Sequence, residues 1–150
     1  MRFAGRLMIG LSLLAAALIG GDARAADDGV PGLGAADRAA IRQVIEQQIA
    51  AFQRDDGAAA FAYAAPSIQA MFGNSENFMQ MVRNGYQPVY RPKEFQFEKL
   101  VEVEGKIAQR LRVVGPDGRA RLAVYVMERQ PDGGWLIGGC VLLDLAEDSA

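Results

Sequence analysis

The chain predicts an α+β fold in which helices come first and an antiparallel sheet follows. Three observations carry that prediction. Up to about residue 85 the apolar residues return every three or four positions, the period of an amphipathic helix. From Lys93 onward they alternate at every second position, the period of a strand with one buried face. Two near-identical sequences, Gly115-Pro116-Asp117-Gly118 and Gln130-Pro131-Asp132-Gly133, then cut the second half into consecutive hairpins.

The first helix is expected from about Ala35 to Arg54, because Ile41, Val44, Ile45, Ile49 and Phe52 gather on one stripe. Gly34 stands at its N-cap position and Asp37 in its first turn, where a negative charge meets the positive end of the helix dipole. Asp55-Asp56-Gly57 ends it. An alanine-rich helix with Phe61 follows over 58–64, and Pro66 opens a short helical piece with Ile68, Met71 and Phe72 that Gly73 closes. Asn74 or Ser75 caps the next helix, with Phe78, Met81 and Val82 on its buried side and Gly85 at the position that favours a left-handed residue. Pro88 and Pro92 predict an extended passage through Val89, Tyr90 and Arg91.

In the first strand Phe95, Phe97, Val101 and Val103 take odd positions and Glu94, Gln96, Glu98, Glu102 and Glu104 even ones, so one face is dry and one wet. Gly105 marks a turn, and Ile107, Leu111 and Val113 repeat the alternation against Arg110 and Arg112. The last two strands differ. Leu122, Val124 and Val126 alternate with Ala123, Tyr125 and Met127, and Trp135, Ile137 and Val141 with Leu136, Cys140 and Leu142. Both faces are therefore apolar, and the helices suffice for one. A second copy of the sheet is the expected cover for the outer face, which makes a homodimer the expected assembly. The adjacent Gly138 and Gly139 predict a bulge or close backbone approach in the last strand.

The N-terminus reads as an address. Arg2 and Arg6 precede an apolar run over 7–20, and Ala23-Arg24-Ala25 offers small residues at the two positions a signal peptidase recognises. Residues 1–25 are thus expected to be a signal peptide, cut before Ala26, with the product periplasmic or secreted. The run is shorter than the roughly 20 residues a spanning helix needs, so no stable membrane insertion is expected after cleavage. Residues 26–34, with Pro31 and three glycines, read as a flexible lead-in, 35–144 as one domain and 145–150 as a tail. About 125 residues suffice for one independent core. The whole chain has 16 basic and 18 acidic side chains, and the leader takes with it Arg2, Arg6, Arg24 and Asp22, leaving a net charge of about −4. Nucleic acid, which needs a basic surface, is not an expected partner. Cys140, the only cysteine, leaves no intramolecular disulfide to form and no lipid attachment point at the cleavage site.

Phe78-Met79-Gln80-Met81-Val82-Arg83, Gly85-Tyr86, Pro88-Val89-Tyr90-Arg91-Pro92, the run Tyr125 to Arg129, and Trp135, Ile137, Gly139 and Cys140 form a recognisable wording. From about Ile41 to Leu143 it resembles an exported bacterial family known only as a domain of unknown function. The element order resembles the nuclear transport factor two-like, or cystatin-like, superfamily. That resemblance implies three N-terminal helices packed on the concave face of a curved four-stranded antiparallel sheet, in the shape of a cone. Phe61, Phe78, Phe95 and Leu111 would then line it in part. The superfamily spans isomerases, dehydratases and binding or dimerisation modules, so the fold alone does not choose an activity.

The chemistry must be read from the residues. The chain has no histidine, which removes Ser-His-Asp and Cys-His nucleophiles, a histidine base and His-rich zinc sites. No catalytic residue, metal or cofactor is expected. Asp55-Asp56 lacks the spacing of a calcium loop and is explained by a helix end. Glu128, the one strand acid among apolar neighbours, reads as a rim ion pair with Arg129. Cys140 reads as a small buried hydrophobe. Pocket candidates are Tyr63, Arg83, Tyr86 and Tyr90, which in the resembling fold surround the open end of the cone, together with Gln109, which like Lys99 interrupts an apolar inward row and asks for a partner or a cavity. Met71, Met79, Met81 and Met127 read as adaptable lining or core filling. The reading that results is a non-catalytic domain binding a small apolar ligand or a protein partner. Its alternatives are a histidine-independent lyase or isomerase of the ketosteroid-isomerase type, using Tyr63, Tyr90 or Glu128, and a structural dimerisation or accessory module.

Overall fold

The computed structural model describes residues 30–146. The proposed leader over 1–25, residues 26–29 and the last four residues of the tail lie outside the described residues. Five helical segments come first: α1 (Ala35–Gln53), α2 (Gly57–Ala62), α3 (Pro66–Phe72), α4 (Ser75–Gly85) and α5 (Gln87–Tyr90). Four strands follow, β1 (Glu94–Val103), β2 (Lys106–Val114), β3 (Ala120–Arg129) and β4 (Trp135–Asp144). They form one open antiparallel sheet in the order β1-β2-β3-β4. The α+β class and the meander are as the periodicity predicts.

The helices obey their local chemistry with two exceptions. α1 buries the stripe Ile41, Ile45, Gln48, Ile49 and Phe52. Its chain reverses through Asp55 at φ 54°, and Asp56 caps α2 by accepting the Ala59 N–H at 3.1 Å. Asn74 caps α4 in the same way, accepting from Asn77 N at 2.8 Å. Gly73 takes positive φ at the end of α3. Gly85 does not: it is the last residue of α4, and the chain passes through Tyr86 into α5. There the expected extended passage gives way to a helical turn, closed by Tyr90 N to Tyr86 O (3.0 Å) and Arg91 N to Gln87 O (2.9 Å). Pro88 sits in the first turn, where its fixed φ favours a helix and no N–H is needed. Pro92 excludes the helical region only for Arg91, which is the cap. Ahead of α1, Val30 is buried in the main core and its carbonyl accepts from Arg38 Nη2 at 3.1 Å.

In the sheet, a bulge in β1 overturns the single parity read from sequence. Phe97 pairs with Leu111 but the next pair is Leu100 with Gln109, so Glu98 and Lys99 together oppose Arg110. The extra residue flips every side chain after it. Leu100 turns inward and is buried, Lys99 is exposed, and Val101 and Val103 move to the outer face with Ala108 and Lys106. Phe95 keeps the inner parity but is 36% exposed and lines no core. The β4 bulge falls where the glycine pair predicts: Val126 pairs with Gly139 and Met127 with Ile137, leaving Gly138 extra. The repeated turns close on Gly118 (φ 76°) and Gly133 (φ 88°). Their aspartates hold them, Asp117 accepting from Arg119 N at 3.0 Å and Asp132 from Gly134 N at 2.8 Å.

Asp117 also receives Arg121 Nη2 at 2.9 Å. That pair, followed by the Arg119 N–H, lowers its carboxyl from 3.8 to about 2. A carboxylate with a depressed folded value stabilises above the unfolded value and loses that contribution as pH falls through the folded one. The melting-temperature gap between wild type and Asp117→Asn should therefore be open above about pH 4 and close as pH falls towards about 2. A gap that is constant across acid melts would contradict the assignment.

All five helices leave one face of the sheet uncovered. The inner face puts Leu111, Val113, Ala123, Tyr125, Met127, Trp135 and Ile137 against α1 and its neighbours. A second cluster, with Ala51, Phe52, Ala60, Phe78, Met79, Val82 and Tyr90, joins the helices to one another. The outer face is divided. On β1 and β2 it carries the ion pairs Glu94–Arg112 and Glu98–Arg110, each at 3.9 Å. On β3 and β4 it carries Leu122, Val124, Val126, Val141 and Leu143. Val103, Val141 and Leu143 are 52, 51 and 47% exposed.

Candidate functional site

Where the two apolar clusters meet, their rings and branched chains do not fill the space. A cavity of about 360 Å³ remains between the helices and the inner sheet face, within the roughly 300–1,000 Å³ of small-molecule sites. From the helix side Ile68, Met71 and Phe72 of α3 and Phe78, Met81 and Val82 of α4 form its wall. From the sheet side come Tyr125, Ile137, Gly139 and Cys140. α3 contributes because the α2–α3 connection is tied to the β4 edge: Ile137 N donates to Tyr63 O (2.9 Å) and Ala65 N to Ile137 O (2.8 Å).

None of the fifteen lining residues carries a formal charge. The polar groups are Gln48, Tyr86, Tyr125 and Cys140. Gln48 Nε2 donates to Ala60 O at 3.2 Å, and Tyr86 Oη donates to Cys140 O at 3.0 Å. Tyr125 pairs across the strands with Cys140 and is 1% exposed. Its hydroxyl has no hydrogen-bond partner of good geometry; the Cys140 thiol beside it is a weak one. Burial pushes the Cys140 thiol up to about 12. Burial, reinforced by Cys140, raises the Tyr125 hydroxyl well above its usual range and lifts Tyr86 as well. At neutral pH all three are therefore uncharged, and Cys140 supplies no thiolate nucleophile.

Of the sequence candidates, Tyr86 lines this cavity. Tyr63 is half-buried at the C-cap of α2, packed on the main core. Arg83 and Tyr90 belong to a polar clasp outside the lining. The Tyr90 hydroxyl donates to the Asp55 carboxylate and accepts from Arg83 Nε at 3.3 Å. Arg91 stacks 4.1 Å from the Tyr90 ring centre and donates to Asp55 at 2.9 Å. The clasp fastens the end of α1 to α4 and α5, and the Tyr90 hydroxyl, ahead of the Arg91 and Arg83 charges, lowers the Asp55 carboxyl. Gln109 points inward and is fully buried, but its amide serves the β1 bulge: Nε2 donates to Glu98 O (2.8 Å) and Arg110 O (2.9 Å). Glu128 pairs with Leu136 on the outer face, its carboxylate against Gly138. Met71 and Met81 line the cavity, whereas Met79 and Met127 are core.

Sequence reasoning missed Gln48, Tyr125 and Cys140 as wall. Tyr125 and Cys140 share a face only once β3 and β4 are in register, and Gln48 is the polar residue inside the α1 apolar stripe, a signal that was there to be read.

No curated protein and no solved structure matches the chain. Residues 34–150 do match a family, the one described as Domain of unknown function (DUF4864). The match spans the helices that wall the cavity and the sheet that backs it, so the chain belongs to that family.

Proposed function

We propose that this is an exported, non-catalytic domain of the nuclear transport factor two-like type that holds a small apolar molecule between its helices and its sheet and works as a homodimer. The observation that carries the ligand is the cavity: it is walled by methionine, phenylalanine and branched side chains and holds no ionised group. Neither carboxylate nor thiolate stands in the lining to act as base or nucleophile. Tyr63, Tyr90 and Glu128, the groups the isomerase reading would use, all lie outside it. Helices followed by a meander they cover on one face support the superfamily assignment. Export is supported by Arg2, Arg6, the apolar run and Ala23-Arg24-Ala25. The dimer is supported by the exposed apolar half of the outer face.

Native mass spectrometry of the protein recovered from the exported fraction tests all three. The expected species starts at Ala26, is a dimer, and carries a non-covalent mass that is lost on denaturation. Met81→Trp, which puts an indole into the cavity, should abolish the extra mass while leaving a folded protein. A ligand retained by Met81→Trp would place the bound molecule elsewhere. A chain still beginning at Met1 would defeat the export reading.

A further inference from the structure

Three of the four polar groups in the cavity lining stand together, and the fourth, Gln48, gives its amide N–H to Ala60 O. Tyr86 and Tyr125 converge on Cys140, one through its carbonyl and the other beside its thiol. Opposite them the α3 and α4 wall is hydrocarbon, ring and thioether. A ligand in this space therefore meets one polar end and one apolar body. The Tyr125 hydroxyl is the donor still without a good partner, and an unpaired buried hydroxyl is costly. Arg83 and Arg91, the cations of the clasp, are turned to Asp55 and stand outside the lining. An ionised ligand would thus be desolvated with no counter-charge in the wall, which is strongly unfavourable.

Building on the reading of the cavity as a ligand site, we infer that it selects an uncharged, mainly hydrocarbon molecule with a single alcohol or carbonyl oxygen, seated against Tyr86, Tyr125 and Cys140, and rejects carboxylates of the same chain length. The upward displacement of all three titrating groups points the same way, since the environment that keeps them neutral acts equally on a ligand.

Calorimetric titration with octanol and octanoate tests the inference. At pH 7 octanoate should bind at least about tenfold more weakly than octanol, and the difference should vanish below about pH 4 as the carboxyl becomes neutral. Tyr125→Phe removes one oxygen without changing shape and should weaken octanol binding roughly fivefold. Equal affinities of octanol and octanoate at pH 7, or unchanged octanol binding in Tyr125→Phe, would overturn the selectivity while leaving an apolar ligand site. Failure of both probes to bind, at either pH, would instead remove the ligand reading on which the selectivity rests.

Discussion

Phe78→Ala should destabilise the domain by about 3–5 kcal/mol, the range for removing a buried aromatic ring. Phe78 is 5% exposed and is the hub of the helical cluster, with ring centres at 5.4 Å from Phe61, 5.7 Å from Phe72 and 6.2 Å from Phe52. Those neighbours belong to α2, α3 and α1, so one ring joins α4 to three other helices. It also lines the cavity, and the space it leaves would merge with one that the walls already fail to fill. Collapse cannot recover the lost contacts, which places the expected loss in the upper part of that range. Met71→Ala is the matched control: Met71 lines the same cavity but is 72% exposed. Its loss should stay within about 0.5 kcal/mol. Urea unfolding of the two variants decides the matter, and equal midpoints would show that Phe78 does not carry the helical cluster.

How far the sequence could be read follows from which interactions are local. Period, turn chemistry and caps are local, and they are visible in α1, α4, the paired Pro-Asp-Gly turns and the Gly138 bulge. The β1 bulge had no glycine to announce it. Its cause is tertiary: Gln109, on the neighbouring strand, supplies the amide that satisfies the Glu98 carbonyl, and the same bond accounts for an inward glutamine that suggested a cavity. α5 is not legible because a proline signals both a stop and a start, and it is the Tyr86 carbonyl, which accepts from Tyr90 N, that closes the turn. The candidate site suffered more than the fold. Tyr63, Arg83 and Tyr90 stand out in the sequence as aromatic or polar groups on the helical half, yet Tyr90 and Arg83 find their partner in Asp55, which the sequence presents as a helix end. Pairing of side chains far apart in sequence has no periodic trace.

The remaining large effect separates the two faces of β3 at adjacent residues. Tyr125→Lys should unfold the domain, and Val124→Lys should leave it folded. Tyr125 stands between Gln109 and Cys140 on the inner face, fully enclosed, with no carboxylate among the cavity residues to pair a lysine. An uncompensated buried charge costs several kcal/mol, comparable with the whole stability of a domain of this size. Val124 stands between Arg110 and Val141 on the outer face, half-exposed, where an ammonium can reach water and meets only mild repulsion from Arg110. If a second copy covers Leu122, Val124, Val126, Val141 and Leu143, a charge at the centre of that patch should dissociate the dimer without loss of helical or strand signal. Sedimentation together with circular dichroism reads both outcomes. A folded Tyr125→Lys protein would reverse the assignment of the faces. A wild type that sediments as a monomer at micromolar concentration would defeat the dimer proposal by itself, and the apolar half of the outer face would then be expected to bind a partner other than its own copy.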